Sequence, residues 1–352
     1  MEALRTKGAV VVTYDEFSLI RKWTGRSAGQ TGDGLSVGIG DDAAVFSLPA
    51  DREVVACCDA MVETVHFLRE TMNPSDIGYK AVISNISDVA AMGGIPRYAL
   101  ISIAVSPQWN TEECEQIYDG IYAACDAYGV RVIGGDTVSS PAGLSLSVTV
   151  MGEVEKGRAL LRSAARPGHL VFVTGHVGGS AAGLDLLLRK AKSGEAVEEK
   201  WQPLALFHQR PAAQVAAGRI LAASPAAGAL NDISDGLASE LWEISEASGV
   251  CLRIEERLIP LAEATRMYAA ETGSDPFRWA LYGGEDYQLA GTIEAEAAEG
   301  IGKLFAEKGI PFTVIGRVEA GEPSVLLSRN SSWEPLAKAG FNHFGKADAR
   351  KG

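Results

Sequence analysis

Apolar and polar positions along this 352-residue chain switch between a period of two and one of about 3.6, and the switches mark out strands and helices in turn. Glu53 to Cys58 is rich in β-formers and ends at Asp59. Pro74-Ser75-Asp76 offers a helix start, Ile77, Ala81 and Val82 follow at helical spacing, and Gly93-Gly94 is a stop signal. Tyr98 to Val105 predicts a strand, Thr111 to Tyr128 a helix, and Val130 to Ile133 a strand running into Gly134-Gly135. Leu144 to Val154 alternates apolar with small polar residues, as a half-buried strand does. Arg158 to Gly168, with its Arg, Pro and Gly, predicts a hinge between domains. Beyond it, His169 to Thr174 predicts a strand, and Gly178-Gly179-Ser180 opens an apolar helix to Leu188. Lys190 to Trp201 predicts a charged loop, and Arg210-Pro211 precedes a further helix. Leu230 to Asp232 ends a strand, and Asp235 to Ser248 is a helix closed by Gly249. Strand and helix signals continue to about Ser328.

This succession predicts an α/β protein, and its length suits two domains. Both halves deliver acidic residues from Gly-rich turns, the pattern of two related lobes. Composition narrows the function. Apolar residues make up 47% and charged residues 22%, typical of a globular chain, and no run of 18 apolar residues exists to span a membrane. Met1 to Phe17 lacks the basic start and long apolar stretch of an export signal. The five cysteines form no C-x-x-C pair, which predicts reduced thiols in a cytoplasm. A formal charge of −13 and scattered basic residues argue against nucleic acid or anionic lipid as partner. Glu195, Glu198 and Glu199 read simply as solvated surface.

The aspartates read differently. Gly38-Ile39-Gly40-Asp41-Asp42-Ala43, Cys58-Asp59, Asn85-Ile86-Ser87-Asp88, Gly134-Gly135-Asp136-Thr137, Asn231-Asp232-Ile233-Ser234-Asp235-Gly236 and Gly283-Gly284-Glu285-Asp286-Tyr287 each set a carboxylate among Gly or small residues. One such segment is most simply a turn. Asp88 is sharper, because it interrupts an apolar helical stretch in which an unpaired carboxylate is costly and few positive residues are near in sequence. A divalent cation is the natural partner. Oxygen-only ligands suit Mg2+ or Mn2+, and no His or Cys cluster has zinc spacing. Adjacent in a strand, Cys57 and Cys58 point to opposite faces and read as packing residues. Gly lets backbone N–H groups approach a phosphate, and a metal bridges carboxylate to phosphate. The chain has no P-loop, no protein-kinase motif set and no nucleophile elbow, so a nucleotide site needs another fold.

Together with Val65-His66-Phe67, Leu161-Arg162-Ser163, and Thr174-Gly175 followed by Ser180-Ala181-Ala182-Gly183-Leu184, these segments resemble the thiamine-monophosphate kinase family, in the family's order and over roughly residues 15 to 345. The resemblance implies a two-lobed aminoimidazole-ribotide-synthetase-like fold. Residues 1–155 would form an ATP- and metal-binding lobe that makes a homodimer through its strands, and 156–352 an α/β lobe closing over nucleotide and substrate. It implies that thiamine monophosphate and ATP give thiamine diphosphate, the last step of that cofactor's biosynthesis, with several Mg2+ ions. It casts Asp42, Cys58, Asp59, Asp88, Asp136, Asp232 and Asp235 in the metal set, with Asp41 an alternative to Asp42. Tyr118, Gly135, Asp136, Arg162 and Ser234 would meet ATP, and His66, Glu285 and Phe341 the thiamine phosphate. Arg162 would contact ATP phosphates through its planar fork.

Two positions depart from the family pattern. Cys57-Cys58 stand where Ser-Thr is frequent; a thiol is a poor Mg2+ ligand, so water or a backbone carbonyl must replace a hydroxyl there. Thr64 stands where Gly is frequent. On residue type alone, His66 reads as structural, Glu285 and Asp286 as turn chemistry, and Phe341 as either a packing anchor or a ring stacked on substrate. Trp279, near Glu285, is a packing residue with some claim to the substrate pocket. Related functions fit less well. A selenophosphate synthetase would want a reactive Cys in its N-terminal segment, and the first 56 residues have none. A non-catalytic nucleotide sensor would be expected to have lost its metal carboxylates.

Overall fold

The computed structural model describes residues 16–40, 43–329 and 332–341. In the first part run α1 (Glu16–Thr24), β1 (Leu35–Val37), β2 (Val45–Phe46), β3 (Arg52–Val62), α2 (Pro74–Ala91), β4 (Ile95–Val105), α3 (Thr111–Tyr128), β5 (Arg131–Ser139) and β6 (Ser145–Glu155). Strands β3–β6–β4–β5 make a four-stranded sheet, antiparallel except for the β4–β5 pair. Helices α2 and α3 cover one face of it. They cross so closely that a Cβ on Gly78 would lie 1.9 Å from the Ile117 carbonyl oxygen, and one on Gly120 1.8 Å from that of Ser75. Only glycine permits this approach.

Local signals set the two helix boundaries. Pro74 at the first turn of α2 follows Asn73, and Asn110 with Glu113 closes a capping box on α3, which ends at left-handed Gly129. Two strands run further than their local patterns predict. β3 continues through Asp59 to Val62, and β5 through Gly134-Gly135-Asp136 to Ser139, so both acidic motifs lie in strand ladders rather than in turns.

The second part comprises β7 (Leu170–Thr174), α4 (Gly179–Ser193), α5 (Gln202–Gln209), α6 (Val215–Ala223), β8 (Ala227–Asp232), α7 (Leu237–Ser248), β9 (Cys251–Glu255), α8 (Glu263–Thr272), α9 (Pro276–Tyr282), β10 (Leu289–Ile293), α10 (Ala298–Glu307), β11 (Phe312–Glu319), β12 (Ser324–Arg329) and β13 (Ser332–Pro335). Its seven strands follow the order β13–β12–β9–β11–β7–β10–β8. Alternate residues of β7 face opposite ways: Val171 and Val173 join a core with Leu237 and Leu241, and Phe172 joins another with Leu221 and Phe305. The α4 helix outruns its predicted end at Leu188 by five residues, to Ser193, and the charged segment after it folds into a short 3-10 turn that buries Trp201. The predicted hinge is pinned: the Ser248 hydroxyl donates to the Arg162 carbonyl, and the Arg158 guanidinium donates to that of Ala222. Among the described residues no helix is long and apolar enough to cross a membrane.

The two parts meet along α2. A Cβ on Gly218 of α6 would lie 2.1 Å from the Ala90 carbonyl oxygen, Arg210 reaches Asp76 at 2.5 Å, and Arg219 donates to the Gly93 carbonyl at 2.6 Å. α2 is therefore buried on nearly every side, and its polar residues face the junction.

Candidate active site

Three carboxylates from three elements converge at this junction. Asp59 points from β3 toward α2, Asp88 sits near the end of α2, and Asp232 closes β8. The Ser87 hydroxyl donates to Asp232 Oδ2 at 2.7 Å, tying α2 to β8, and the Asp59 amide donates to Asn85 Oδ1 at 3.0 Å, tying β3 to α2. Burial, then Asp232 and Asp59, push the Asp88 carboxyl up to about 8. Burial, with Asp59 adding to it, pushes Asp232 up to about 6, and burial raises Asp59 as well. Like charges buried or half-buried together in this way are unfavourable until a cation joins them. Arg162 is the basic side chain that eases both Asp88 and Asp232, but it is itself engaged, by Asn231 at 2.9 Å and Glu243 at 2.9 Å.

Among the described residues no group of three or more His, Cys, Asp or Glu side chains stands ready to grip a metal. An acidic pocket short of neutralising charge, without a finished cage, fits Mg2+, which keeps several waters and binds through one or two carboxylates plus phosphate oxygens.

A second cluster adjoins the first. The turns 231–236 and 283–287 are laced together, the Glu285 amide donating to the Ser234 carbonyl at 2.7 Å and the Tyr287 amide to that of Ile233 at 2.9 Å. The Phe341 amide donates to the Asp235 carbonyl at 3.3 Å, and the Asp235 amide to Glu240 Oε1 at 3.1 Å. The Phe341 ring lies 6.3 Å from that of His66. His66 Nδ1 accepts from the Val62 amide at 3.0 Å, which leaves the proton of a neutral ring on Nε2. His66 lowers both Asp59 and Glu285, so the imidazole stands between the acidic pocket and the 283–287 turn. Glu285 adopts a left-handed backbone (φ 66) and pairs with Lys80 at 2.6 Å. Thr64, in the turn before His66, is also left-handed (φ 69), a conformation that glycine adopts at less cost than a β-branched residue.

Family models for AIR synthase related proteins match both parts of the chain, the N-terminal domain over residues 40–154 and the C-terminal domain over 166–327. A thiamine-monophosphate kinase of Bacillus subtilis (strain 168) is 43% identical over 333 residues, covering 94% of this chain and 99% of the relative. The chain belongs to the thiamine-monophosphate kinase family. Two solved members of the family share its architecture. The crystal structure from Stenotrophomonas maltophilia K279a is 34% identical, with a TM-score of 0.79 over 90% of this chain and 98% of that one. "AaThiL complexed with AMPPCP and TMP" is 34% identical, with a TM-score of 0.75 over 94% of this chain and 97% of that one.

The family motifs do not all meet at one point in this chain. Asp59, Asp88 and Asp232 meet, with Asp235, Ser234 and Arg162 on the neighbouring turns and His66, Glu285 and Phe341 beside them. Gly135 and Asp136 lie elsewhere. Asp59 pairs across the sheet with Val148, Val148 with Ile101, and Ile101 with Gly135, so three strand spacings, about 14 Å, separate the two motifs. Asp136 itself pairs with Ser102 on the other face of the sheet. Cys58 also faces that way, its sulfur 3.5 Å from the Ser147 hydroxyl; the thiol does not join Asp59, and it is Cys57 that points inward, 3.2 Å from the Asn85 carbonyl. Tyr118 is buried beneath β5, stacked on Trp23 and bonded to Thr137, with no open ring face for a nucleotide. Trp279 stacks on Tyr268 at 5.7 Å within a local core. Asp41 and Asp42 lie outside the described residues.

Residue-by-residue reading of the sequence missed Lys80, Ser87, Asn85 and His208. A signal was present for the α2 group: Lys80, Ser84 and Ser87 with Asp88 recur at i, i+4 and i+7/i+8, a polar stripe on a helix otherwise buried in apolar contacts. His208 carried none.

Proposed function

We propose that this chain transfers the γ-phosphoryl group of ATP to thiamine monophosphate, giving thiamine diphosphate by direct in-line displacement with no covalent enzyme intermediate. The observation that carries this reading is the convergence of Asp59, Asp88 and Asp232 beside the cluster of His66, Glu285 and Phe341. An acidic pocket and a mixed aromatic and polar pocket thus share a wall, as a reaction between two phosphates needs.

The acceptor is a phosphate monoester whose second pKa is about 6, so its oxygen is anionic near neutral pH without a general base. The difficulty is bringing two anions together, which is a matter of position and charge. Asp59, Asp88, Asp232 and Asp235 would hold Mg2+, with Asp42 as a further member of the set. Bound there, the metal supplies charge neutralisation for the moving phosphoryl group. Arg162 and Ser234 would meet ATP, Arg162 already oriented by Asn231 and Glu243. The His66 Nε2–H and the Phe341 ring would hold and orient thiamine monophosphate, and Glu285 would accept from its amino group.

The exposed outer face of β3, β6, β4 and β5 carries Val54, Val62 and Val138, at 57%, 36% and 49% exposure. It supports a homodimer formed through these strands, with Asp136 at the joint. Residues 1–155 would then be the dimerising, metal-binding lobe and 156–352 the closing one, in a cytoplasmic enzyme.

Purified protein incubated with ATP, MgCl2 and thiamine monophosphate should yield ADP and thiamine diphosphate in equal amounts by chromatography. Tight ATP binding with no diphosphate product would sink the reading in favour of a nucleotide sensor.

A further inference from the structure

Lys80 lies on α2 at 0% exposure. Its Nζ stands 2.6 Å from Glu285 Oε2 and has no other polar partner among the described residues. An ammonium in such a place is retained only against a strong counter-charge. Glu285 belongs to the second lobe and Lys80 to the first, so the pair spans the junction.

His208 of α5 completes the group. It is buried, with Nδ1 3.1 Å from the Ser180 hydroxyl and 3.5 Å from Glu285 Oε2. Burial and the neighbouring Lys80 push the imidazole down to about 3, so it is a neutral neighbour. Burial alone would raise the Glu285 carboxyl; the Lys80 ammonium is the largest influence against it, and the carboxyl ends below its usual value and ionised.

The backbone of the 283–287 turn is held independently, by the second lobe. Glu285 and Tyr287 donate to the Ser234 and Ile233 carbonyls, and the Asp286 carboxylate accepts from the Gly178 and Ser180 amides at 2.6 and 3.0 Å. The second lobe thus fixes where Glu285 starts, and the first lobe fixes where its carboxylate ends.

We propose that Lys80 is a positioning residue for the acceptor: reaching across from the first lobe, it holds the Glu285 carboxylate in one orientation at the wall where thiamine monophosphate docks. This rests on the reading of Glu285 as an acceptor contact. Removing the ammonium leaves a buried carboxylate that takes up a proton and turns an acceptor into a donor. The loss falls on the acceptor and not on ATP, because among the described residues the Lys80 ammonium pairs with Glu285 and with no residue of the ATP set.

Steady-state kinetics on Lys80→Met, Glu285→Gln and the double variant test this. Lys80→Met should raise KM for thiamine monophosphate by about tenfold, the worth of one charged hydrogen bond, and leave KM for ATP within about twofold. Glu285→Gln should raise the same constant, and adding Lys80→Met to it should change that constant by less than about twofold, because the two side chains act as one unit. An unchanged acceptor KM in Glu285→Gln sinks the reading of Glu285 itself. A raised one there, with Lys80→Met matching the parent, sinks only the Lys80 proposal. Equal rises for ATP and acceptor, or additive effects in the double variant, reduce Lys80 to a packing role and overturn it. Should Lys80→Met alone not fold, the double variant, in which no charge is left unpaired, is compared with Glu285→Gln: equal acceptor KM supports the proposal, and a further rise overturns it.

Discussion

The two sheets of this molecule are covered differently. The seven-stranded sheet has a core on each side, with Val171 and Val173 in one and Phe172 in the other. The four-stranded sheet has its main core under α2 and α3; on its other face, among the described residues, only a small cluster around Leu35, Tyr98 and Ile133 is buried, and Val54, Val62 and Val138 stay exposed. A sheet buried on both sides is finished within its own chain; one whose second face is only partly covered leaves apolar side chains for something else to cover. The acidic motifs follow the same division. Asp59 and Asp88 occupy the covered side with Asp232, whereas Asp136 and Cys58 fall on the open side.

The largest effect that bears on this contrast comes from the covered side. Asp88→Asn should lower kcat/KM by about 100- to 1,000-fold through lost stabilisation of transition-state charge. It should leave the melting temperature without Mg2+ equal to the parent's or higher, since a carboxyl that burial and its acidic neighbours make costly to ionise is replaced by a neutral amide. Parallel kinetics and thermal melts check this, and unchanged turnover would remove Asp88 from the metal set. Next, Phe172→Ala in the doubly covered sheet should cost about 3–5 kcal/mol in denaturant unfolding, because Phe312 loses the ring on which it packs and the cluster shared with Phe305 and Leu221 loses its volume. A cost below about 1 kcal/mol would mean that this core collapses around the gap. On the open face, Val138→Asp should cost under about 0.5 kcal/mol in a lone chain yet convert a two-chain species to one by sedimentation, if a second copy covers that face. An unchanged mass would break the dimer reading. The smallest effect is expected at Cys58→Ser: with its thiol turned from Asp59, Mg2+ dependence should stay within about twofold of the parent. A large change would bring that side chain back into the metal set.

Much of the fold was legible where the controlling interactions are local. The span of α3 could be read because its capping box and terminal Gly129 are neighbours in the chain, and α2 begins at its proline for the same reason. Strand ends were not legible. Nothing local in Gly134-Gly135-Asp136 favours extension; the run is a strand because it pairs with β4, and Gly135 fits since a Cβ there would lie 1.8 Å from the Ile101 carbonyl oxygen. Asp88 could be singled out as a carboxylate among apolar neighbours, but its companions could not be ranked. Lys80 and Glu285 are joined only by the packing of one lobe on the other.

By itself the sequence determined which elements form, which carboxylates are costly to bury, and the family. Those depend on neighbours a few residues away and on ordered motifs. The tertiary structure alone decided which side of the sheet each motif faces, that Asp59, Asp88 and Asp232 meet while Asp136 stands apart, and that a buried lysine holds Glu285. These are contacts between distant segments, and their energies depend on burial and separation in space, which no local pattern encodes.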